Sequence, residues 1–202
     1  MGNITFNNKS KETLSVVTFN CKSFKSSINE IKALCCTSDV IFLQETWLLD
    51  FDLPMLAQVD SLFYGAGITA VDTTSGLLSG RPYGGLAVLW RKSLGSQCKP
   101  IIYDHKTRLM GFELVHNGRL YSFINVYLPY CCQENQSEFA RYLALVDSLV
   151  TQANTSFLYI LGTSTLMYPK IMTLVMNCPC LLLRRSTFCL TPSSVKSTPT
   201  HS

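Results

Sequence analysis

Acidic residues are missing from the end of this chain: no Asp or Glu follows Asp147 in its 202 residues. No run reaches the roughly 20 apolar residues that cross a bilayer as a helix, so no membrane partner is expected. No basic, apolar and small-residue leader opens the sequence, which points to an intracellular, nuclear or cytoplasmic protein. No Cys-x-x-Cys pair occurs among the 9 cysteines. Their odd count and the adjacent pairs Cys35-Cys36 and Cys131-Cys132 argue for reduced thiols rather than a disulfide framework, and Cys178-x-Cys180 is too narrowly spaced for structural zinc. No Lys-Ser or Lys-Thr directly follows Gly84-Gly85, where Leu86-Ala87 stands instead, which removes the phosphate-loop reading of that pair. No internal repeat is present, and no small-molecule cofactor is expected.

What remains suits one packed domain. The chain is 47% hydrophobic and 15% charged, enough apolar material for a core and too little charge for a disordered chain. Its formal net charge is +4. Lys170, Arg184, Arg185 and Lys196 lie beyond Thr163, so the body holds 13 basic and 13 acidic residues, and the whole excess belongs to the tail. A neutral body carries no broad basic footprint for nucleic acid, although a local cleft stays possible.

Periodicity gives an α/β pattern. Residues 1–12 are polar and are expected to fray. Leu14 to Phe19 and Val40 to Leu43 read as buried strands. Between them Ile28, Ile31, Leu34 and Cys35 recur at helical spacing behind Ser26 or Ser27 as a cap. Strand, helix and strand within about thirty residues is a βαβ unit. Residues 50–82 look like loop. Gly84 to Trp90 reads as a strand. Leu109 to Val115 and Leu120 to Tyr127 form a hairpin around Asn117-Gly118. Phe139, Tyr142, Leu143, Val146, Leu149 and Val150 line one face of a helix spanning Glu138 to Val150. Phe157 to Leu161 is the last clear strand. Residues 163–202 are expected to be a non-homologous tail without regular structure.

Four signals then fall in a fixed order. Thr18-Phe19-Asn20 ends the first strand, and Leu43-Gln44-Glu45-Thr46-Trp47 ends the second. Tyr83-Gly84-Gly85-Leu86-Ala87 opens another, and Asn125-Val126-Tyr127-Leu128-Pro129 ends a later one. Tyr159-Ile160-Leu161-Gly162 follows after a helix. Over residues 13–162 this order resembles the endonuclease/exonuclease/phosphatase superfamily, and within it the apurinic-like endonuclease domain of LINE-type (non-LTR) retrotransposons. The resemblance implies a four-layer α/β sandwich, with two packed and mainly antiparallel sheets flanked by helices. It is expected to be cut short after the last recognisable strand. It also implies Mg²⁺-dependent hydrolysis of a DNA phosphodiester, with DNA as the partner.

Under that resemblance Glu45 is the metal ligand, because a hard cation on a phosphate oxygen takes carboxylate ligands. Asn20 and Tyr127 are the other candidate catalytic residues. Asn20 would orient Glu45 or bond a phosphate, and Tyr127 could donate to the phosphate. Read alone, Asn20 is a turn former and Tyr127 a packing aromatic. Arg81 and Arg91 read as surface charges or DNA contacts, and Trp47 and Trp90 as core. Family elements expected later are absent: Gly162 is followed by Thr163-Ser164-Thr165 instead of Asp-x-Asn, and His201 has no Asp beside it. The expected function is therefore a weak or inactive endonuclease. The alternative is a non-catalytic pseudoenzyme or a nucleic-acid or protein binding module.

A shift of frame accounts for the loss. Thr163 to Tyr168 can be encoded ACN TCN ACN CTN ATG TAY. One G inserted after the glycine codon permits Asp-Phe-Asn-Ala-Asp-Val, so a single-base deletion or a mis-spliced junction is the hypothesis. Sequencing the transcript across the Gly162 codon tests it, and a neighbouring frame that encodes no further domain would sink it.

Overall fold

The computed structural model describes residues 13–71, 82–103, 108–129, 133–153, 155–163 and 187–190. β1 (Leu14–Asn20), α1 (Ile28–Thr37) and β2 (Val40–Gln44) come first, and β1 and β2 pair in parallel as a βαβ unit should. A 3₁₀ helix at Asp50–Gln58 and β3 (Phe63–Ile68) follow, within the stretch expected to be loop. β4 (Leu86–Arg91), a second 3₁₀ helix (Lys92–Gln97) and β5 (Cys98–Ile102) lead to the hairpin of β6 (Leu109–His116) and β7 (Arg119–Tyr127). Its turn residues Asn117 and Gly118 take φ of 51° and 71°, as the dipeptide predicts. α2 (Gln136–Gln152) and β8 (Phe157–Thr163) close the body. β9 (Thr187–Leu190) lies inside the segment expected to lack regular structure, and pairs antiparallel with β1. The remainder of that segment, and residues 1–12, lie outside the described residues.

Two sheets result, ordered β3-β4-β2-β1-β9 and β5-β6-β7-β8. The β1/β2 and β7/β8 pairs are parallel and all other pairings antiparallel. The sheets pack face to face through Val16, Phe42, Val88, Phe112 and Phe123. On the outer side of the first sheet, Val17, Ile41 and Leu89 meet Ile31 and Cys35 of α1 and Leu56 of the first 3₁₀ helix. On the outer side of the second, Ile124 and Ile160 meet Phe139, Tyr142 and Val146 of α2. Helix, sheet, sheet and helix make the four-layer α/β sandwich, because each strand alternates two apolar faces between the central and an outer layer. Among the described residues no helix is long and apolar enough to cross a membrane.

Ser27 precedes α1, but its hydroxyl donates to the Cys21 carbonyl at 2.8 Å instead of capping the helix. Arg91 is not a solvated surface charge. Its guanidinium donates to the Cys35 carbonyl (2.6 Å) and the Ser38 carbonyl (3.1 Å) and pairs with Asp39 at 3.1 Å. Arg81 lies outside the described residues. Trp90 is core, whereas Trp47 is only half-buried.

Candidate active site

β1, β2 and β7 end side by side, and each end delivers one polar side chain. Period-2 alternation sets the delivery. Along β1 the positions facing the second sheet are Leu14, Val16, Thr18 and Asn20, and along β7 they are Tyr121, Phe123, Asn125 and Tyr127. β2 contributes Val40, Phe42 and Gln44, with Glu45 just beyond. Apolar rungs thus give way to polar ones toward the same end of the sandwich.

Asn20 Nδ2 donates to Glu45 Oε1 at 2.7 Å. The Tyr127 hydroxyl also hydrogen-bonds the Glu45 side chain. Glu45 is therefore the hub that links the other two sequence candidates. Burial pushes the Tyr127 phenol up from its ordinary value, the Glu45 charge and hydrogen bond add to this, and the Arg108 guanidinium acts against it. Tyr127 consequently keeps its proton at neutral pH. Arg108 lies 5.6 Å from the Tyr127 ring centre and binds Glu138 at 3.2 Å. It sits before β6, in no motif that sequence reading would select.

The backbone holds Glu45 in an unusual place. Glu45 and Trp47 have φ of 54° and 55°, a left-handed conformation that costs a non-glycine residue roughly 1–2 kcal/mol. Four hydrogen bonds hold it there: Ser23 N–H to Glu45 O (2.8 Å), Phe24 N–H to Thr46 O (2.8 Å), Thr46 N–H to Gly85 O (3.2 Å) and Trp47 N–H to Gly84 O (2.9 Å). The glycine pair allows this approach. Gly85 has φ of 81°, and a Cβ there would lie 2.5 Å from Thr46 Oγ1. So Gly84-Gly85 binds no phosphate through a Lys-Ser element; it lets β4 close against the Glu45 loop.

Behind the site lies Cys21, whose thiol donates to the Gln44 carbonyl at 3.3 Å. Burial pushes it up to about 12, so it is no nucleophile at neutral pH. Residue 163 pairs in register with Tyr127 across the parallel β7/β8 ladder. The position after Gly162 thus reaches the same end of the sandwich. Among the described residues no group of three or more His, Cys, Asp and Glu side chains gathers as a metal cluster. His116 is buried on β6, and His105 lies outside the described residues.

The sequence of residues 17–161 matches the model of the endonuclease/exonuclease/phosphatase family. The chain belongs to that family. Enzymes of the family generally use a divalent metal. Solved structures agree on the fold. Humanized D. rerio TDP2 carrying 14 mutations is 17% identical, with a TM-score of 0.55 over 81% of this chain and 67% of that one. An AP endonuclease from Archaeoglobus fulgidus is 16% identical, with a TM-score of 0.52 over 74% and 56%. The 3′ phosphatase NExo from Neisseria, bound to product DNA hairpin, is 17% identical, with a TM-score of 0.52 over 74% and 56%. The chain therefore spans 56–67% of the length of these three structures. No curated protein sequence matches it.

Proposed function

We propose that this chain carries the Glu45 half of a Mg²⁺-dependent DNA endonuclease site of the LINE-type (non-LTR) retrotransposon kind. We further propose that the polypeptide nicks DNA weakly or not at all. One observation carries the reading: Glu45 accepts from both Asn20 and Tyr127 at a junction of strand ends. The LINE-type detail rests on the order of the sequence motifs. The donor set suits magnesium, a hard cation often held by one or two carboxylates, several waters and substrate phosphate. Glu45 would hold the ion, and the ion would supply Lewis-acid stabilisation at the phosphate. Asn20 fixes the Glu45 carboxylate through its carboxamide. Tyr127, protonated at neutral pH, stands ready to donate to a phosphate oxygen. DNA is the substrate that the reading implies.

Weakness follows from the sequence. The family's Asp-x-Asn after the last strand is Thr163-Ser164-Thr165 here. A missing acid/base group typically costs ~10²–10⁴-fold. The second reading, a non-catalytic pseudoenzyme or binding module, draws on the same substitution.

A nicking assay on supercoiled plasmid with Mg²⁺, run beside Glu45→Ala, tests both. The proposal expects nicking at or slightly above the level of the variant. Strong nicking that disappears in Glu45→Ala would overturn the weakness, and strong nicking that survives it would overturn the role of Glu45. Mn²⁺ binding followed by electron paramagnetic resonance, lost in Glu45→Ala, separates an ion site without turnover from a module with no ion at all.

A further inference from the structure

One rung below the site, two uncharged side chains cross between the sheets. Gln44 is 1% exposed and Asn125 0%. Gln44 Nε2 donates to Asn125 Oδ1 at 2.6 Å and to Thr18 Oγ1 at 2.9 Å. Asn125 Nδ2 donates to the Leu43 carbonyl at 3.0 Å and the Ala87 carbonyl at 3.2 Å. The pair therefore ties four strands: β1 through Thr18, β2 through Leu43 and Gln44, β4 through Ala87, and β7 through Asn125.

Each tied position sits one or two residues from the site on its own strand. Thr18 precedes Asn20 by two, Gln44 precedes Glu45 by one, Ala87 follows Gly85 by two, and Asn125 precedes Tyr127 by two. Residues two apart on a strand face the same way, so Thr18 and Asn125 lie directly beneath Asn20 and Tyr127. The rungs further down are apolar: Val16, Phe42, Val88 and Phe123. Apolar packing alone would hold the sheets together there. It is non-directional, and so does not fix how far one sheet slides along the other. A hydrogen-bonded amide pair does fix it, because its bonds weaken steeply with distance and angle.

We propose that Gln44 and Asn125 are positioning residues: their buried amide bridge sets the register between the two sheets and thereby holds Glu45 against Asn20 and Tyr127. The proposal deepens the reading of the Glu45 site above and rests on it for the use of that site. Neither side chain touches a reacting atom; both act through their strand neighbours. Other polar pairs in the interior, such as Arg91 with Asp39, sit at the far end of β2 and leave the Glu45 loop untouched.

Native-state amide hydrogen exchange tests it without any need for activity or metal. The reporters are the amides of Ser23, Phe24, Thr46 and Trp47, whose bonds hold the Glu45 loop. Asn125→Leu alone strands buried acceptors and a donor, and can unfold the protein. The paired variant Gln44→Met with Asn125→Leu removes both amides at similar volume and so strands no side-chain donor, a milder change for the core than Asn125→Leu alone. In the paired variant, protection at those four amides is expected to fall at least about tenfold more than at the strand amides of β6 and β7. A uniform fall that follows global stability would overturn the proposal and leave a purely structural bridge. Unchanged protection at the four amides would overturn it too. Mn²⁺ binding by the same variants is a separate arm: its absence from the parent protein would count against the ion reading, while the exchange result would still decide the bridge.

Discussion

Tyr127 is the residue whose chemistry is most exposed to measurement, because its proton belongs both to its fold and to its site. Burial and the neighbouring Glu45 hold its phenol above the ordinary value of 10.0. On raising the pH, the unfolded chain ionises first. The stabilisation from the protonated phenol is complete below about pH 10 and is lost as pH rises through the higher folded value. Cys35, raised to about 11, and Cys21 and Cys98, each raised to about 12, act in the same direction. Parent protein should lose stability from about pH 9 upward, and Tyr127→Phe should lose less above about pH 10, where the unfolded phenol ionises first. Urea midpoints for both proteins across that range check it, and parallel curves would be the contrary result. The thiols give a second residue-level prediction. Cys36 is exposed, whereas its three described neighbours in type stay protonated at neutral pH. Brief iodoacetamide treatment at pH 7.5 and peptide mapping should find Cys36 modified well before Cys21, Cys35 and Cys98. Equal labelling of the four would contradict the burial that raises them.

At the scale of elements, strands were readable wherever an apolar run stayed unbroken. β1, β2, β4, β7 and β8 announce themselves by β-branched and aromatic runs, and α1 and α2 by helical spacing. β3 does not, because Gly65 and Gly67 interrupt it. The structure supplies their reason: a Cβ at either position would lie within 2.7–2.8 Å of Leu56 atoms, where the first 3₁₀ helix presses on the sheet. Close backbone approach erases the side chains that would have signalled a strand. β5 hides for another reason. It is an edge strand holding Lys99 and Pro100, and edge strands tolerate Pro and charge that central strands exclude. Arg91 was misread because two of its three acceptors are main-chain carbonyls around the end of α1, and the third, the Asp39 carboxylate, is far from it in sequence. It ties α1, the start of β2 and the end of β4 together, and Asp39 is 3% exposed at its side chain. Arg91→Ala should cost about 3 kcal/mol, the lower end of what breaking a buried pair costs, since Arg91 keeps some solvent contact. Arg91→Lys should cost less but still measurably, because an ammonium cannot reach all three acceptors in a planar fork. Chemical denaturation of the three proteins measures the differences. A cost below about 1 kcal/mol for Arg91→Ala would reduce the tie to an ordinary surface pair.

For the molecule as a whole, the site exists only where the two sheets meet. The first sheet brings Asn20 and Glu45, and the second brings Tyr127. The motif order in the sequence contained these three residues because each closes a strand. It did not contain the bridge beneath them. Gln44 and Asn125 stood inside the quoted motifs, but no spacing rule says that an amide 81 residues away will be a partner. Pairings between sheets are a property of packing, and packing has no period. Position 163 ends β8 in register with Tyr127, where the proposed function puts the Asp of an Asp-x-Asn element. Thr163→Asp with Thr165→Asn rewrites the Asp-x-Asn element in the present chain. If the missing acid is what limits turnover, this variant should gain Mg²⁺-dependent plasmid nicking over the parent by at least about tenfold, a modest share of what one acid/base group supplies. Glu45→Ala in the same background should abolish the gain, because the new acid and Glu45 would serve one phosphate from opposite sheets. A folded Thr163→Asp/Thr165→Asn variant that gains nothing would overturn the idea that the acid at this position limits turnover. A gain that survives Glu45→Ala would mean the cleavage arises outside the junction of the two sheets.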